Sequence, residues 1–478
     1  MENPADAGLC LTDDQKRKAL EELIQDFDLS TENLKNIIKH LLKEMESGLK
    51  HDNTNVPMLP SWITRRPTGQ EVGEYIGLEL SGSSIRIYLV TLHGKGKITT
   101  RQQKYPIHEH LKKGSINALI DYLAVSVDSF LSFVGKGDCR HQEPIGLGFV
   151  ISFPLHQTAL NNASVIRWTK DFAVTNADGK NIVDLLQTGL DRRHIPVTVE
   201  ATCNGAVGCL LAHGYRSLDT LLSCTVSTGT NAAYWEQMAN VQKCLDPNKP
   251  KPMDSGDDVP EMIINTEWGS FGDENPEYLP RTMYDNRVNR ESTNPGVHIF
   301  EKMISGLYLG EIARNIMTEF QDRGILFHGN YSPDLNTPNT FEAAYMSAIE
   351  SDDTPELADT KHIMECILNV PSTTLDDRRV VKQICELVGR RAARLTAAAI
   401  SAIIQKRDAL EGGLTISVEG TIYEHYPNFP NRVNEALRGF YGHSVDRINI
   451  GITRDGNGIG GALAAMLARE ERQEKAKK

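Results

Sequence analysis

Three short turns and one strand end carry the residues whose types and spacing could do chemistry. "LSGSS" (80–84), "STGTN" (227–231) and "DGNGIGGA" (455–462) are small-residue turns, each joined to a β-rich run. Such turns gather backbone N–H groups around a phosphate, and small side chains let the backbone approach it. One of them alone is usually only a turn; three in one chain point to a phosphate-handling cleft. The third precedes "ALAAML", so its glycines also suit close helix packing. The strand end is "EATCNGAVGC" (200–209), entered from the alternating run "IPVTVE" and left through the helix-like run "AVGCLLAHGY". α/β proteins place reacting groups at such junctions. Here the turn Asn204-Gly205-Ala206 offers no acid, base or nucleophile.

The elements that must position these turns are legible as apolar patterns. "EYIGLEL" and "IRIYLVTLHG" flank the first turn as a β-hairpin, and "TLLSCTVSTGTNAAYWE" repeats that device around the second. "IGLGFVISFP", "LTISVEGTIYEHYP" and "RINIGITRDGNGIGGALAAML" add further strands, the last running into a small-residue helix. "STENLKNIIKHLLKEMESGL" has helical spacing, with Ser30 or Thr31 as cap and Gly48 as stop. "NVPMLPSWITRRPTGQE" reads as an extended linker. "CELVGRRAARLTAAAISAIIQK" reads as a long helix, and the charged tail "LAREERQEKAKK" as a solvated, fraying end. Mixed strands and helices with two matching hairpins predict an α/β protein of two similar lobes.

The chain has 478 residues and a formal net charge of -12, which argues against a broad nucleic-acid footprint. Its cysteines (Cys10, Cys139, Cys203, Cys209, Cys224, Cys244, Cys366, Cys385) form no C-x-x-C pair. They are expected to be reduced and mostly buried. The N-terminus has no signal-peptide pattern, and no apolar run is expected to be long enough to cross a bilayer. The expected setting is the cytoplasm or nucleus, with neither nucleic acid nor membrane as a direct partner.

The three turns, with the text between them, resemble the eukaryotic hexokinase family, and in length its single-unit fungal forms. "NVPMLPSWITRRPTGQEVGEYIGLEL", "GFVISFPLHQTALNNASVIRWTKDF", "INTEWGSFGD", "LPRTMYD", "NPGVHIFEKMISGLYLGEI", "EGTIYEHYPNF" and "DGNGIGGAL" follow the family in order. The resemblance implies an actin-like (ribonuclease H-like) fold, two lobes around a hexose/ATP cleft. It implies an N-terminal helical segment and linker (1–71) packed on the large lobe, a small lobe (72–216 with 459–478) and a large lobe (217–458). Carried over by motif, the hexose contacts are Ser152, Phe153, Thr169, Lys170, Asn204, Asn231, Glu267 and Glu301. The nucleotide contacts are Ser81, Gly82, Ser83, Ser84, Thr228, Gly229, Thr230, Ser347, Gly420 and Thr421. ATP and Mg²⁺ are implied as cofactors, with Glu79 at the family's Mg-associated aspartate.

The chain also departs from that pattern. The family's Asn-Asp-Thr turn places an aspartate that takes the proton of the attacking sugar hydroxyl; here that position is Gly205. A positioned base typically contributes about 10²–10⁴-fold. Lys170 and Arg86 remain as cations able to assist a residual reaction. Glu200, at the far end of its strand, is not placed to substitute. Ser81 stands where the family has glycine, Ala343 where it has threonine, and His298 where it has glutamine. Asn289 and Arg290 replace two acids. Gly205 and Ser81 therefore predict weakened catalysis and nucleotide binding beside a largely retained hexose site. The expected function is a hexose-binding regulator of nutrient response with a protein partner, without normal hexose phosphorylation. The alternatives are an active or weakly active ATP-dependent hexokinase, and a scaffold that binds neither ligand.

Overall fold

The computed structural model describes residues 13–82, 84–136, 143–168, 172–245 and 259–477. Ser83, Thr169, Lys170, Cys10 and Cys139 lie outside them. Two mixed sheets organise the chain. In the first, β1 (Val72–Leu80) pairs antiparallel with β2 (Ser84–His93), and β2 with β3 (Ile98–Pro106). On its other side β1 pairs parallel with β4 (Ile145–Ile151), and β4 with β5 (Val197–Asn204). The second sheet repeats the scheme with β6 (Thr220–Val226), β7 (Thr230–Gln237), β8 (Glu261–Asn265), β9 (Leu414–Glu419) and β10 (Ile448–Ile452). The orders are β3-β2-β1-β4-β5 and β8-β7-β6-β9-β10, the same path traced twice. The segment read as a linker adds a two-residue bridge, Leu59–Pro60, to the outer edge of β8.

The helices include α1 (Asp13–Phe27), α2 (Thr31–Lys50), α3 (Ile116–Phe133), α4 (Ile182–Arg192), α5 (Gly205–Gly214), α6 (Ile299–Ile304), α7 (Gly306–Asp322), α8 (Leu375–Arg407), α9 (Phe429–Tyr441) and α10 (Gly456–Lys477); others, such as Met283–Glu291 and Ala343–Ser351, lie between them. Helices α3 and α4 bury Leu119, Leu123, Val127, Phe130 and Leu186 in one core with Leu78 and Ile87 of the first sheet. Among the described residues a single helix, α3, is long and apolar enough to cross a membrane by length and composition, which corrects the expectation of none. Half of it is buried inside the protein. The long α8 is started by a capping box between Thr374 and Asp377. Its Arg391 is fully buried, stacked 4.2 Å over the ring of Phe27 and paired with Asp285, which fixes α1 to the second lobe's helices.

Close packing explains the glycines in "DGNGIGGA": a Cβ on Gly458 would meet the Tyr88 ring at 2.0 Å, and one on Gly461 the Val150 side chain at 2.7 Å. A Cβ on Gly77 of β1 would meet the carbonyl oxygen of Gly458 at 1.9 Å, and one on Gly148 of β4 that of Gly461 at 1.8 Å. A Cβ on Gly460 would meet that of Gly208 at 1.9 Å. The glycines let α10 lie directly on the first sheet and cross α5, so the helix-packing use of this turn holds for them.

Two other expectations are corrected. Helix α2 is capped by Ser30 in a capping box with Asn33, but it runs through Gly48 to Lys50. Gly48 makes room for a loop, since a Cβ there would lie 2.1 Å from the carbonyl of Val56. The charged tail does not fray: α10 continues to Lys477. Arg469 and Arg472 pair with the buried Glu200, and Arg65 with Glu470 and Glu474.

Candidate hexose and nucleotide cleft

The ends of β5, β7 and β8 converge on one group of amides and carboxylates. Glu267, the residue after Thr266 at the end of β8, takes a left-handed conformation (φ 53°, ψ 40°) that is uncommon for a non-glycine residue and marks a constrained site. Its Oε1 accepts hydrogen bonds from Nδ2 of Asn265 at 2.8 Å, Asn231 at 3.0 Å and Asn204 at 3.4 Å. The Glu267 backbone N–H in turn donates to Asn231 Oδ1 at 3.1 Å. Burial raises the Glu267 carboxyl above its usual range, opposed by the Asn265 hydrogen bond and by His298.

A second carboxylate faces it. Glu301, on α6, accepts the Thr230 backbone N–H at 2.9 Å. Gly229 is the residue that allows this, because a Cβ there would sit 2.6 Å from Glu301 Oε2. His298 is also left-handed (φ 58°), and its Nδ1 lies 3.4 Å from Glu301 Oε1. Burial works against its charge, yet the bond to Glu301 and the charges of Glu301, Glu267 and Asp273 prevail and raise its pKa. Asp273 fixes this corner by accepting the N–H groups of His298 and Ile299, both at 2.8 Å. Convergent carboxylates and amides of this kind suit a polyhydroxy ligand, whose hydroxyls need charged acceptors.

Of the other expected hexose contacts, Ser152 donates its N–H to the Leu80 carbonyl at 3.1 Å, tying β4 to β1. Phe153 is buried against Trp168 and Phe172, and its carbonyl accepts from Asn204 Nδ2 at 3.4 Å. Asn289 accepts from the buried Lys302 at 2.9 Å. Burial lowers that lysine to about 8, against the pull of Asp273 and Glu301. Arg290 is exposed beside Glu291.

Position 205 is the first residue of α5, and Asn204 caps that helix by accepting the Ala206 N–H at 3.0 Å. A Cβ on Gly205 would meet only the side chain of Asn457, at 2.9 Å from Oδ1. Asn457 Nδ2 donates to Glu79 Oε1 at 2.9 Å, and its Oδ1 accepts the thiol of Cys209 at 3.3 Å. That thiol is also hydrogen-bonded to Glu419. Burial first, then the charges of Glu79 and Asp455, push Glu419 up to about 7. Arg86 lies across the hairpin from Glu79. Glu200 faces away, toward α10, in its pairs with Arg469 and Arg472.

The nucleotide-side residues divide. Thr228, Ser347 and Thr421 line one cleft of about 570 Å³ with Leu307, Phe341 and Ala343. Gly420 (φ 134°) does not line it but precedes Thr421, and a Cβ there would meet the Val226 carbonyl at 2.2 Å. Ser81, Gly82, Ser84, Gly229 and Thr230 do not line it. The Thr230 hydroxyl accepts the Trp268 indole N–H at 3.1 Å, so this residue belongs to the wall behind Glu301. The Ser81 hydroxyl folds back onto the Ser84 carbonyl at 2.9 Å and closes its own turn, rather than projecting toward a phosphate. The sequence reading did not single out Asn265, Asp273, Asn457, Cys209 or Glu419. Asn265 and Asp273 stood inside the quoted "INTEWGSFGD" as its signal, whereas Cys209 passed for a small apolar residue.

Two family models, both described as hexokinase, match residues 19–215 and 221–467. The chain is 34% identical to a hexokinase of Kluyveromyces lactis, covering 93% of this chain and 90% of that one. It is also 34% identical to hexokinase-1 of Saccharomyces cerevisiae, covering 94% and 92%. The chain belongs to the hexokinase family. The solved hexokinase of Schistosoma mansoni complexed with glucose superposes with a TM-score of 0.85 at 32% identity, over 96% of this chain and all of that one. The fold is therefore the actin-like ATPase fold of sugar kinases. Membership implies use of ATP with Mg²⁺. The cleft beside Thr228 and Thr421 has the volume for a nucleoside. A nucleotide-bound Mg²⁺ needs only one or two protein carboxylates, and Glu79, which would supply one, accepts a hydrogen bond from Asn457 Nδ2 at 2.9 Å through Oε1.

Proposed function

We propose that this hexokinase-family protein binds a hexose such as glucose and does not phosphorylate it at an ordinary hexokinase rate. It serves as a hexose-binding regulator of nutrient response through a protein partner, in the cytoplasm or nucleus. The observation that carries this reading is Gly205: where the reacting hydroxyl loses its proton, the surrounding side chain is the Asn457 amide, which is no base. The network of Glu267, Glu301, Asn204, Asn231 and Asn265 supports retained sugar binding, because its acceptors are held in place before a ligand arrives. Binding without turnover leaves closure of the cleft as the output that a partner can read.

One observation favours a second reading, a working kinase with a displaced base. Glu419, at about 7, is tuned to the range a general base needs. Against it, its carboxylate is bonded to Cys209, one helical turn beyond position 205. Calorimetry with glucose and a coupled assay of ADP release with glucose and MgATP decide the matter. The expected result is heat of binding with turnover at least about 10²-fold below that of an ordinary hexokinase. Ordinary turnover that disappears in Glu419→Gln would establish the second reading and overturn the first.

A further inference from the structure

We propose that Asn457 occupies the place of the missing acid and that this corner has been rebuilt around it, so that the amide, and not the glycine alone, keeps the site silent. The proposal rests on the reading of Gly205 above. The three nearest atoms to a Cβ on Gly205 all belong to Asn457: Oδ1 at 2.9 Å, Cγ at 3.4 Å and Nδ2 at 3.5 Å. Nothing else crowds the position. Its backbone is helical, at the first residue of α5, where the helix N-terminus favours a negative side chain. One side chain is therefore the obstacle to an acid here.

That side chain is held from both ends. Its Nδ2 donates to Glu79 Oε1, and its Oδ1 accepts from Cys209, which also bonds Glu419. The chain Glu79–Asn457–Cys209–Glu419 links the end of β1 to the end of β9, so it joins the two sheets across the cleft floor. An aspartate at 205 has two ways to fit. It can leave Asn457 on Glu79 and be turned away from the base position by the 2.9 Å contact with Asn457 Oδ1. Alternatively, it can accept a hydrogen bond from the rotated amide, which stabilises its charged form and weakens it as a base. Both leave a single substitution short of restored catalysis. Asn457 thus acts as a positioning residue for the base site and for Glu79 together.

The test compares full-length wild type, Gly205→Asp, Asn457→Ala and the double variant, by MgATP turnover with glucose across pH and by thermal midpoint without ligand. The double variant is expected to exceed Gly205→Asp at least about tenfold in rate. Its pH–rate profile should show a new acidic limb in the carboxylate range, and Asn457→Ala should recover the midpoint lost in Gly205→Asp. A double variant no faster than the single one, or thermal shifts that simply add, would overturn the proposal. Where Gly205→Asp alone does not fold, the double variant against Asn457→Ala carries the test through the same acidic limb. Ordinary turnover in the wild type would remove the reading of impairment, while the coupling of midpoints between positions 205 and 457 still reports on the contact itself.

Discussion

The turn at 80–84 and the turn at 226–230 occupy the same point in two sheets of identical strand order, and they are finished differently. In the first, the hydroxyl of Ser81 donates to the Ser84 carbonyl, while the Ser81 N–H makes a second bond to it at 3.0 Å. In the second, the Ser227 hydroxyl reaches across to Thr421 at 3.2 Å, Thr228 stays exposed in the cleft, and Gly229 yields space to Glu301. One hairpin has turned its polar groups inward; its counterpart presents them to a cavity and to the hexose-side carboxylate. The same contrast runs through the whole cleft. Polar groups on the second sheet's side converge on a ligand-sized space. Those on the first sheet's side, Glu79 and Asn457 above all, are bonded to one another.

The contrast breaks most severely if Glu267 is not the centre of the hexose wall. Glu267→Ala leaves the amides of Asn204, Asn231 and Asn265 without their shared acceptor. A hydrogen bond to a charged group contributes about 1.5–3 kcal/mol, so glucose affinity should fall on the order of 10²-fold by calorimetry. An unchanged affinity would place the sugar elsewhere.

The next effect concerns the carboxyls near the first sheet, Glu79 and its neighbour Glu419. Glu419 binds its proton more tightly folded than unfolded, because burial and the neighbouring Glu79 and Asp455 oppose its charge. A raised carboxyl pKa means the folded state holds more protons, so this group weakens the fold increasingly as pH rises from about 4.5 to about 7. Glu419→Gln should therefore gain stability over wild type across that window, by up to about 2 kcal/mol at its upper end after allowance for solvent. Thermal melts across pH check it; a gain that is largest at low pH would show the sign to be wrong.

A smaller effect tests the fit of the second turn. Gly229→Ala puts a methyl 2.6 Å from Glu301 Oε2 and forces that carboxylate away from the Thr230 N–H. Glucose affinity should fall about tenfold, the scale of one such bond, with little change in thermal midpoint. An equal loss of fold stability and affinity would mean that Glu301 is held for structure alone.

The hairpins and the strand ends were legible because alternation and turn chemistry are local properties of the chain. The uses of its glycines were not. Gly48 and Gly460 give way to backbone elsewhere in the protein, Gly458 to the ring of Tyr88 and Gly461 to Val150, and a glycine reads the same whether its space goes to a ligand, a loop or a helix. The tail failed for a related reason. Arg469 and Arg472 find their partner, Glu200, across the fold, and only tertiary structure turns a solvated charge run into a clamp. Asn457 was hidden between glycines, with nothing in its own neighbourhood to show that its side chain lies against Gly205.

The mildest test asks what closing the first turn achieves. Ser81→Gly removes the hydroxyl that donates to the Ser84 carbonyl and accepts the Ser84 N–H at 3.3 Å. Two part-buried hydrogen bonds and the added chain entropy of glycine amount to about 1–2 kcal/mol, which in a chain of this size lowers the thermal midpoint by roughly 1–2 °C. Glucose affinity should not move, since the Ser81 hydroxyl makes its bonds within its own turn. ATP binding decides the meaning of the contrast. If the first turn is a structural corner, freeing its backbone leaves nucleotide affinity where it was. If affinity rises in Ser81→Gly, the turn is a phosphate site that its own serine has shut, and the two hairpins differ in a side chain rather than in purpose.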